Sequence, residues 1–520
     1  MRGTFEFSNE PETDFAIHAH AEAFRAALGD VRSQLGRSYP AIIDGQEVTA
    51  AATFASTSPA DPDLAVGIFP DCDASEAIRA LEAAERAFPA WSRVAAAERV
   101  RIVCAVADQI RARRHELSAW MVYEVGKSWV EAEGEVVETV DLLNYYAQQM
   151  LWLEGPQNQR LARLPGEHTE FFYVPLGAGV VISPWNFPLA LTFGMAGAAI
   201  VAGNTVVVKP ASNSPTSVYQ LAKLFQTAGL PPGVLNVVTG KGSVIGNALV
   251  DHPRTRFIAF TGSMEVGVGL QERAATMQPG QIWIKRTVLE LGGKNAVIVD
   301  SEADLDAAAD GVLASAFGFQ GQKCSAGSRA IIDEAVYDQF LERLLQRAAG
   351  LQVGDPVDPA VTVGPVIDER ACNSILRYIE IGKQEGKLLC GGGRANGKGH
   401  LIQPTIFGDV DPQAVIAQEE IFGPVLACLK ARDFDHALTM ANNTKYGLTG
   451  ALFSRNRAKL DRARREFHVG NLYLNRKSTG ALMGVHPFGG FNMSGTDSKA
   501  GGPDYLLLFL QGKSVGERMR

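Results

Sequence analysis

Between residues 177 and 293, runs of continuous apolar residues alternate with helical stretches at close spacing. The runs are GAGVVIS (177–183), NTVVVKP (204–210), VLNVVTG (234–240) and FIAFTGS (257–263). The segments between them predict helices over 188–202, 214–228 and near 243–250. A strand that is apolar along its whole length must be buried on both faces, and helices between such strands supply the cover. A parallel sheet meets both demands. In such sheets ligands bind beyond the carboxyl ends of the strands. A second alternating block begins with NAVIVD (295–300), continues through a helix at 304–318, SRAIID (328–333) and a helix at 335–348, and runs to about residue 475.

Before these blocks lies an arm with helical character over 15–36 and a hairpin at YPAIIDGQEV (39–48). Helices are predicted over 74–92, 96–113, 115–125 and 128–152. FFYVPLG (171–177) and YLLLFLQGKSV (505–515) read as apolar strands with no hairpin partner beside them. Strands of that kind complete a sheet elsewhere in the fold or in another subunit.

A chain of 520 residues has room for two or three domains. Its net charge of −8 argues against general nucleic-acid binding, which needs a basic face. The six cysteines lie far apart and none forms a C-x-x-C pair, so neither a disulfide framework nor a metal site is expected, and a reducing cytoplasm fits. The start, MRGTFEFSNEPETDF, lacks the apolar core of a secretory signal. The longest apolar run, LALTFGMAGAAIVAG (189–203), falls short of the ~20 residues that span a bilayer, and reads as a buried helix. A soluble protein without a membrane partner is the expectation.

Several short segments carry residues suited to chemistry. Cys324 sits in FGFQGQKCSAGSR, a polar, glycine-flanked junction between helix and strand. It reads either as a spare buried thiol or as a nucleophile, with Lys323 beside it to favour thiolate. Glu290, in TVLELGGKNAVIVD, is either a solvent-facing glutamate at a strand end or a general base on a loop. Asn186, in SPWNFP (183–188), is either a capping side chain or a donor to an oxyanion. Lys209 and Ser212, in VVVKPAS, follow a strand end, where a lysine can meet a ribose or phosphate. Gly262 and Ser263, in FTGSMEVG, would offer N–H groups and a hydroxyl at a helix start, which suits a pyrophosphate. EEIFGPV (419–425) and PFGGFNMSG (487–495) read by themselves as a solvated acidic pair and a surface turn.

The order of these segments says more than any one of them. PWNFP, KPAS, FTGS-x-x-x-G, LELGGK, GQKCS, EEIFGPV, YGLTG and PFGG follow one another as they do in the aldehyde dehydrogenase superfamily, which the chain resembles from about residue 40 onward. The resemblance is closer to the branch that oxidises L-glutamate γ-semialdehyde, the second step of proline breakdown. It is carried by HPRTRFIAFTGSMEVG, AFGFQGQKCSAGSR and REFHVGNLYLNRKSTGALMGVHPFGGFNMSGT.

The resemblance implies an α/β fold with a Rossmann-like cofactor domain (40–160 and 178–289), a catalytic domain (290–483), and an oligomerisation element with a C-terminal anchor loop (161–177 and 484–520), after an arm over 1–39. It makes Cys324 the nucleophile, Asn186 the oxyanion donor together with the Cys324 N–H, and Glu290 the base that hydrolyses a thioester. The cofactor is implied to be NAD, held by Trp185, Lys209, Ser212, Gly262, Ser263, Glu420 and Phe422. Ser212 stands where many NAD-restricted relatives have an acid, which leaves NADP open. The substrate's carboxylate would meet the N–H groups of Gly480 and Ala481 and the Ser325 hydroxyl. Its aliphatic chain would lie between Phe187 and Phe488, and its amino group would face Glu138. A homo-oligomer is implied, with a dimer as its minimum and a hexamer of dimers compatible. Other readings are a different semialdehyde dehydrogenase, which would lack the KSTGALMG match, and a silent relative, which would lack the nucleophile or base. A thiol hydrolase would need a histidine motif, and no such motif is evident.

Overall fold

The computed structural model describes residues 7–157 and 161–519. The first alternating block forms five parallel strands in the order Arg286–Glu290, Phe257–Thr261, Ala178–Ile182, Thr205–Lys209 and Leu235–Val237. The predicted hairpin, Ala41–Ile43 with Gln46–Val48, extends this sheet antiparallel to Leu235–Val237. Val180, Val206, Val207, Val208 and Ile258 have no accessible surface, as a sheet covered on both faces requires.

The second block forms another seven-stranded sheet. Its order is Lys387–Cys390, Thr405–Gly408, Val425–Ala431, Gly327–Asp333, Asn295–Val299, Thr449–Phe453 and Asn471–Leu474, and only Lys387–Cys390 runs antiparallel. The sheets are joined directly: residues 291–294 lead from the end of Arg286–Glu290 to the start of Asn295–Val299.

The Gly/Ala segment is the buried helix Ala190–Val201, packed on the long helix Trp129–Leu153. Its glycines permit a close approach, because a Cβ at Gly197 would lie 2.4 Å from Leu143 and one at Gly194 would lie 3.0 Å from Leu142. Among the described residues no helix is long and apolar enough to cross a membrane. Two helices receive their N-terminal caps from buried carboxylates far away in sequence. Glu124 accepts from the N–H groups of Thr216 and Ser217 and from the hydroxyls of Ser217 and Ser56, at 2.7–3.1 Å. Glu135 accepts from the N–H groups of Leu189 (2.7 Å) and Ala190 (3.2 Å), and Lys127 is its ion-pair partner. A helix N-terminus leaves N–H groups unpaired and carries partial positive charge, so an anion is the natural cap.

The two strands without local partners pair with each other. Leu510–Arg518 runs antiparallel to Glu167–Pro175 over nine residue pairs. The apolar run at 505–515 is not strand throughout, because Tyr505–Phe509 forms a 3-10 turn that tucks Tyr505, Leu506 and Phe509 into the core. Near 243–250 the predicted helix is a π-helical turn, Gly242–Gly246, followed by the short helix Asn247–Asp251.

Replacing Glu124 by Ala would strand the Thr216 and Ser217 N–H groups in a buried site, at about 1–3 kcal/mol for each unpaired group. Glu124→Ala is therefore expected to lower the thermal unfolding midpoint clearly. Glu124→Gln, which keeps one acceptor oxygen, should lower it less, and differential scanning calorimetry of the three proteins checks the order.

Candidate active site

The carboxyl ends of the first sheet bring the candidate residues together. Asn186 follows Ala178–Ile182, Lys209 ends Thr205–Lys209, Gly262 and Ser263 follow Phe257–Thr261, and Glu290 ends its strand. Glu290 thus belongs to a strand end and not to a loop. Its Oε1 is buried without a hydrogen-bond partner among the described residues. The backbone beyond it is tightly held, with the Leu291 N–H donating to the Ser494 carbonyl at 2.8 Å.

Cys324 stands on a turn with three consecutive left-handed residues, Phe319 (φ 46°), Gln320 (φ 57°) and Gly321 (φ 69°). Such a turn is strained at Phe319 and Gln320, and the surroundings hold it in place. The Gln320 amide donates to the carbonyls of Gly126 (2.9 Å) and Pro365 (3.0 Å), and a Cβ at Gly321 would sit 2.3 Å from the Gly423 carbonyl oxygen. The Asn295 amide donates to the carbonyls of Cys324 (2.7 Å) and Ala326 (2.8 Å). The hydroxyls of Thr449 and Ser478 both donate to the Ser325 carbonyl at 3.2 Å. The Asn186 amide donates to the Gln322 carbonyl at 3.0 Å, two residues before the cysteine, and makes no helix cap.

A cavity of about 240 Å³ opens on Cys324 and is lined by Phe187, Ser325, Gly480, Ala481 and Phe488, the residues expected to hold a substrate. Glu138 lines it too, half-buried, so it is not a solvent-facing residue. A small adjoining cavity of about 30 Å³ lies between Glu138 and Glu290. Behind the Phe187 ring, the Lys127 ammonium lies 3.6 Å from the ring centroid, and it is also 4.6 Å from that of Phe319.

On the nucleotide side, Lys209 is buried and has no charged partner among the described residues. Burial pushes its pKa down to about 8. Such a cation suits a ligand that brings hydroxyl or phosphate oxygens. Ser212 lies close by, its hydroxyl 3.5 Å from the Gly240 carbonyl. The Ser263 hydroxyl faces the Val266 N–H at 3.4 Å, at the first turn of Met264–Ala275. Gly262 departs from expectation. Its N–H donates to the Glu290 carbonyl at 3.1 Å, and a Cβ there would lie 2.4 Å from the Phe260 ring, so the glycine answers to its own sheet. Glu420 accepts from the Gly293 N–H at 2.8 Å, and burial raises its carboxyl to about 7. Trp185 and Phe422 meet edge to face at 5.6 Å between ring centroids. A buried lysine and serine hydroxyls beyond strand ends, with a glutamate from the loop between Val415–Gln418 and Val425–Ala431, fit a dinucleotide's ribose and phosphate groups.

The electrostatics favour the neutral forms of Glu290 and Cys324. Burial, with a smaller contribution from Glu138, raises Glu290 to about 8. Burial, Glu290 and Glu420 push the Cys324 thiol far above its usual value, against a hydrogen bond from the Ser325 N–H. Lys323 does not favour the thiolate as expected, because its ammonium is paired with Glu131 at 2.6 Å. Sequence reasoning missed Asn295, Thr449, Ser478, Lys127 and Glu135. An asparagine opening the apolar strand NAVIV was a usable signal, whereas the Lys127–Glu135 pair left none.

The model of the aldehyde dehydrogenase family matches residues 47–515. The chain belongs to the aldehyde dehydrogenase family. It is 56% identical over 513 residues to 1-pyrroline-5-carboxylate dehydrogenase of Geobacillus thermodenitrificans, covering 98% of this chain and 99% of that protein. It is 50% identical over 515 residues to the enzyme of the same name from Bacillus subtilis, covering 99% of each. A crystal structure of 1-pyrroline-5-carboxylate dehydrogenase from Thermus with bound NAD superposes with a TM-score of 0.98 at 49% identity, over 99% of this chain and all of that one. Within the family fold, both sheets and the crossing between them are present.

An ionised Glu290 opposes ionisation of Cys324. Glu290→Gln is therefore expected to speed iodoacetamide alkylation of Cys324 at pH 9 by about 3- to 10-fold, up to one pKa unit of thiol acidity. Below pH 7, where Glu290 is already neutral, the two proteins should react alike. Peptide mass spectrometry at both pH values reads the result, and slower alkylation of the variant at pH 9 would mean that Glu290 instead takes the thiol proton.

Proposed function

We propose that this protein oxidises L-glutamate γ-semialdehyde, the open form of 1-pyrroline-5-carboxylate, to L-glutamate in proline catabolism. One observation carries the reading. A single cavity brings Cys324 together with two aromatic walls, Phe187 and Phe488, and with the Gly480–Ala481 turn and Ser325. That arrangement matches an aldehyde with an aliphatic middle and a carboxylate at its far end.

In this reading the Cys324 sulfur adds to the aldehyde carbon, a C–S bond forms, and the carbonyl oxygen takes up negative charge. The Asn186 amide and the Cys324 N–H stabilise that oxygen. The thiol proton passes to that oxygen, leaving a neutral hemithioacetal. When bound, NAD would supply the acceptor for the hydride on that carbon; the C–H bond would break, the hydroxyl proton would pass to water, and a thioester would remain on Cys324. Glu290 in its ionised form, which burial makes the minor form at neutral pH by raising its pKa to about 8, then takes a proton from water as the water attacks the thioester carbon. Glutamate leaves and the Cys324 thiol is restored. Lys209, Ser212, Ser263 and Glu420 are assigned to the nucleotide, with Trp185, Gly262 and Phe422 shaping its site. Ser212 carries no charge to repel a 2′-phosphate, so NADP is a second acceptor. Glu138 is assigned to the substrate's ammonium group.

We assign 40–160 with 178–289 to the cofactor domain and 290–483 to the catalytic domain. Glu167–Pro175 and Leu510–Arg518 form a separate two-stranded sheet, and we assign it to assembly of a homo-oligomer, dimer or larger. A cytoplasmic location accords with six free cysteines.

A site built to pair a carboxylate rejects analogues without one, by up to ~10⁴–10⁵ in kcat/KM in favourable cases. In a panel followed by cofactor absorbance, glutamate semialdehyde should have much the highest kcat/KM, with NADP active beside NAD. Comparable efficiency for propionaldehyde would overturn the substrate assignment.

A further inference from the structure

The chain ahead of the first helix is tied down by groups that the chemistry leaves unused. The Asn9 amide has two donor hydrogens and uses both, one to Asp141 Oδ2 at 2.9 Å and one to the Met483 carbonyl at 3.2 Å. The Glu10 N–H donates to the other Asp141 oxygen at 2.7 Å. Arg111 donates to the Glu10 carboxylate at 2.9 Å, Arg114 to the Pro11 carbonyl at 2.9 Å, and Thr13 to Glu133 at 2.5 Å. Asp141 is almost fully buried and lines the cavity that opens on Cys324, as does Glu12.

Met483 is the decisive contact. It closes the loop whose Gly480 and Ala481 line the cavity, and it lines the same space. The outgoing leg of the loop is held by Arg476, whose guanidinium donates to the carbonyls of Thr479 (3.2 Å) and Gly480 (2.8 Å). The return leg is held by Asn9 at Met483 and by Phe7 at Gly484. Phe7 meets Tyr145 edge to face at 5.2 Å, and a Cβ at Gly484 would lie 3.3 Å from the Phe7 ring and 2.9 Å from that of Tyr145. Gly480 (φ 78°) and Gly484 (φ 72°) both hold left-handed backbone, so the loop is bent at two places that glycine alone does not stiffen.

We infer that residues 7–14 are a positioning strap: by tying Asn9 to the Met483 carbonyl and Phe7 to Gly484, they fix the loop over 477–484 and thereby set selectivity for aldehydes that end in a carboxylate. The inference rests on the function proposed above. The strap touches no reacting atom and acts through the loop. An asparagine is required at position 9 because the two contacts are both acceptors. Aspartate there would face Asp141 and a carbonyl with no hydrogen to give either.

The test compares wild type with Asn9→Ala, Asn9→Asp and the exchange Asn9→Asp with Asp141→Asn. The exchange restores a hydrogen bond between the two side chains but still gives Met483 no donor. Both single variants should raise KM for glutamate semialdehyde about 5- to 20-fold, the scale of one or two hydrogen bonds, with kcat changed by less than about two-fold. KM for propionaldehyde should not move. The exchange should unfold at a higher temperature than Asn9→Asp, because its two side chains pair again, yet should keep the raised KM. An unchanged KM in Asn9→Ala, an equal loss for both aldehydes, or full recovery of KM in the exchange would overturn the inference. Asn9→Ala carries the comparison should Asn9→Asp fail to fold. A wild type with no preference for glutamate semialdehyde would refute the proposed substrate itself, which is a separate outcome from a selective wild type with unaltered variants.

Discussion

Residues 291–294 join the last strand of one sheet to the first strand of the other, and this crossing sets the distance between the two groups assigned to the chemistry. Glu290 stands at its start and Asn295 at its end, and Asn295 grips the carbonyls on either side of Ser325. The crossing has almost no room. A Cβ at Gly292 would fall 2.1 Å from the Glu420 carboxylate, and one at Gly293 would fall 2.7 Å from the Cys324 carbonyl oxygen. Two glycines therefore let the nucleophile's turn, the base's strand and a carboxylate assigned to the cofactor converge on four residues of backbone. A side chain at either position would push apart groups that must meet across one substrate carbon, where a shift of about 1 Å costs on the order of 100-fold in rate.

Buried charges keep the rest of the site in register with that crossing. Glu135 caps the helix after PWNFP, and Lys127 both neutralises Glu135 and lies against the Phe187 and Phe319 rings. One ion pair thus fixes the turn that holds Asn186, a cavity wall and the strained residues before Cys324. Removing one partner of such a pair would leave the other as an uncompensated buried charge, at about 3–5 kcal/mol. Burial raises both Glu290 and the Cys324 thiol, so the neutral forms of these two groups are favoured side by side.

Much of this could be read from the chain. Fully apolar runs such as TVVVK and NAVIV announce strands buried on both faces, and the alternation with helices leaves little choice but parallel sheets. The residues placed at or just beyond strand ends by that pattern, Asn186, Lys209 and Ser263, do stand there, whereas Glu290, read as a loop base, ends a strand. Local pattern fails where tertiary contacts decide. The run after Asp504 is apolar enough for strand, yet its first turn winds into a 3-10 helix so that Tyr505 can stack on Tyr146. Lys323 is adjacent to Cys324 in sequence but reaches away to Glu131, because neighbours in an irregular turn need not point the same way. The Gly262 N–H is consumed by the neighbouring strand end, which only the sheet order reveals. Contacts such as Asn9 with Met483, separated by most of the chain, leave no periodic trace.

The proposed reaction passes through a covalent intermediate at Cys324 whose hydrolysis needs Glu290. The direct measurement is mass spectrometry of Glu290→Gln quenched in acid after a single turnover with NAD and glutamate semialdehyde. The peptide that holds Cys324 should carry the mass of a glutamyl group, absent when NAD is omitted and absent from Cys324→Ala. A variant that forms reduced cofactor in full yield while Cys324 stays unmodified would contradict the account.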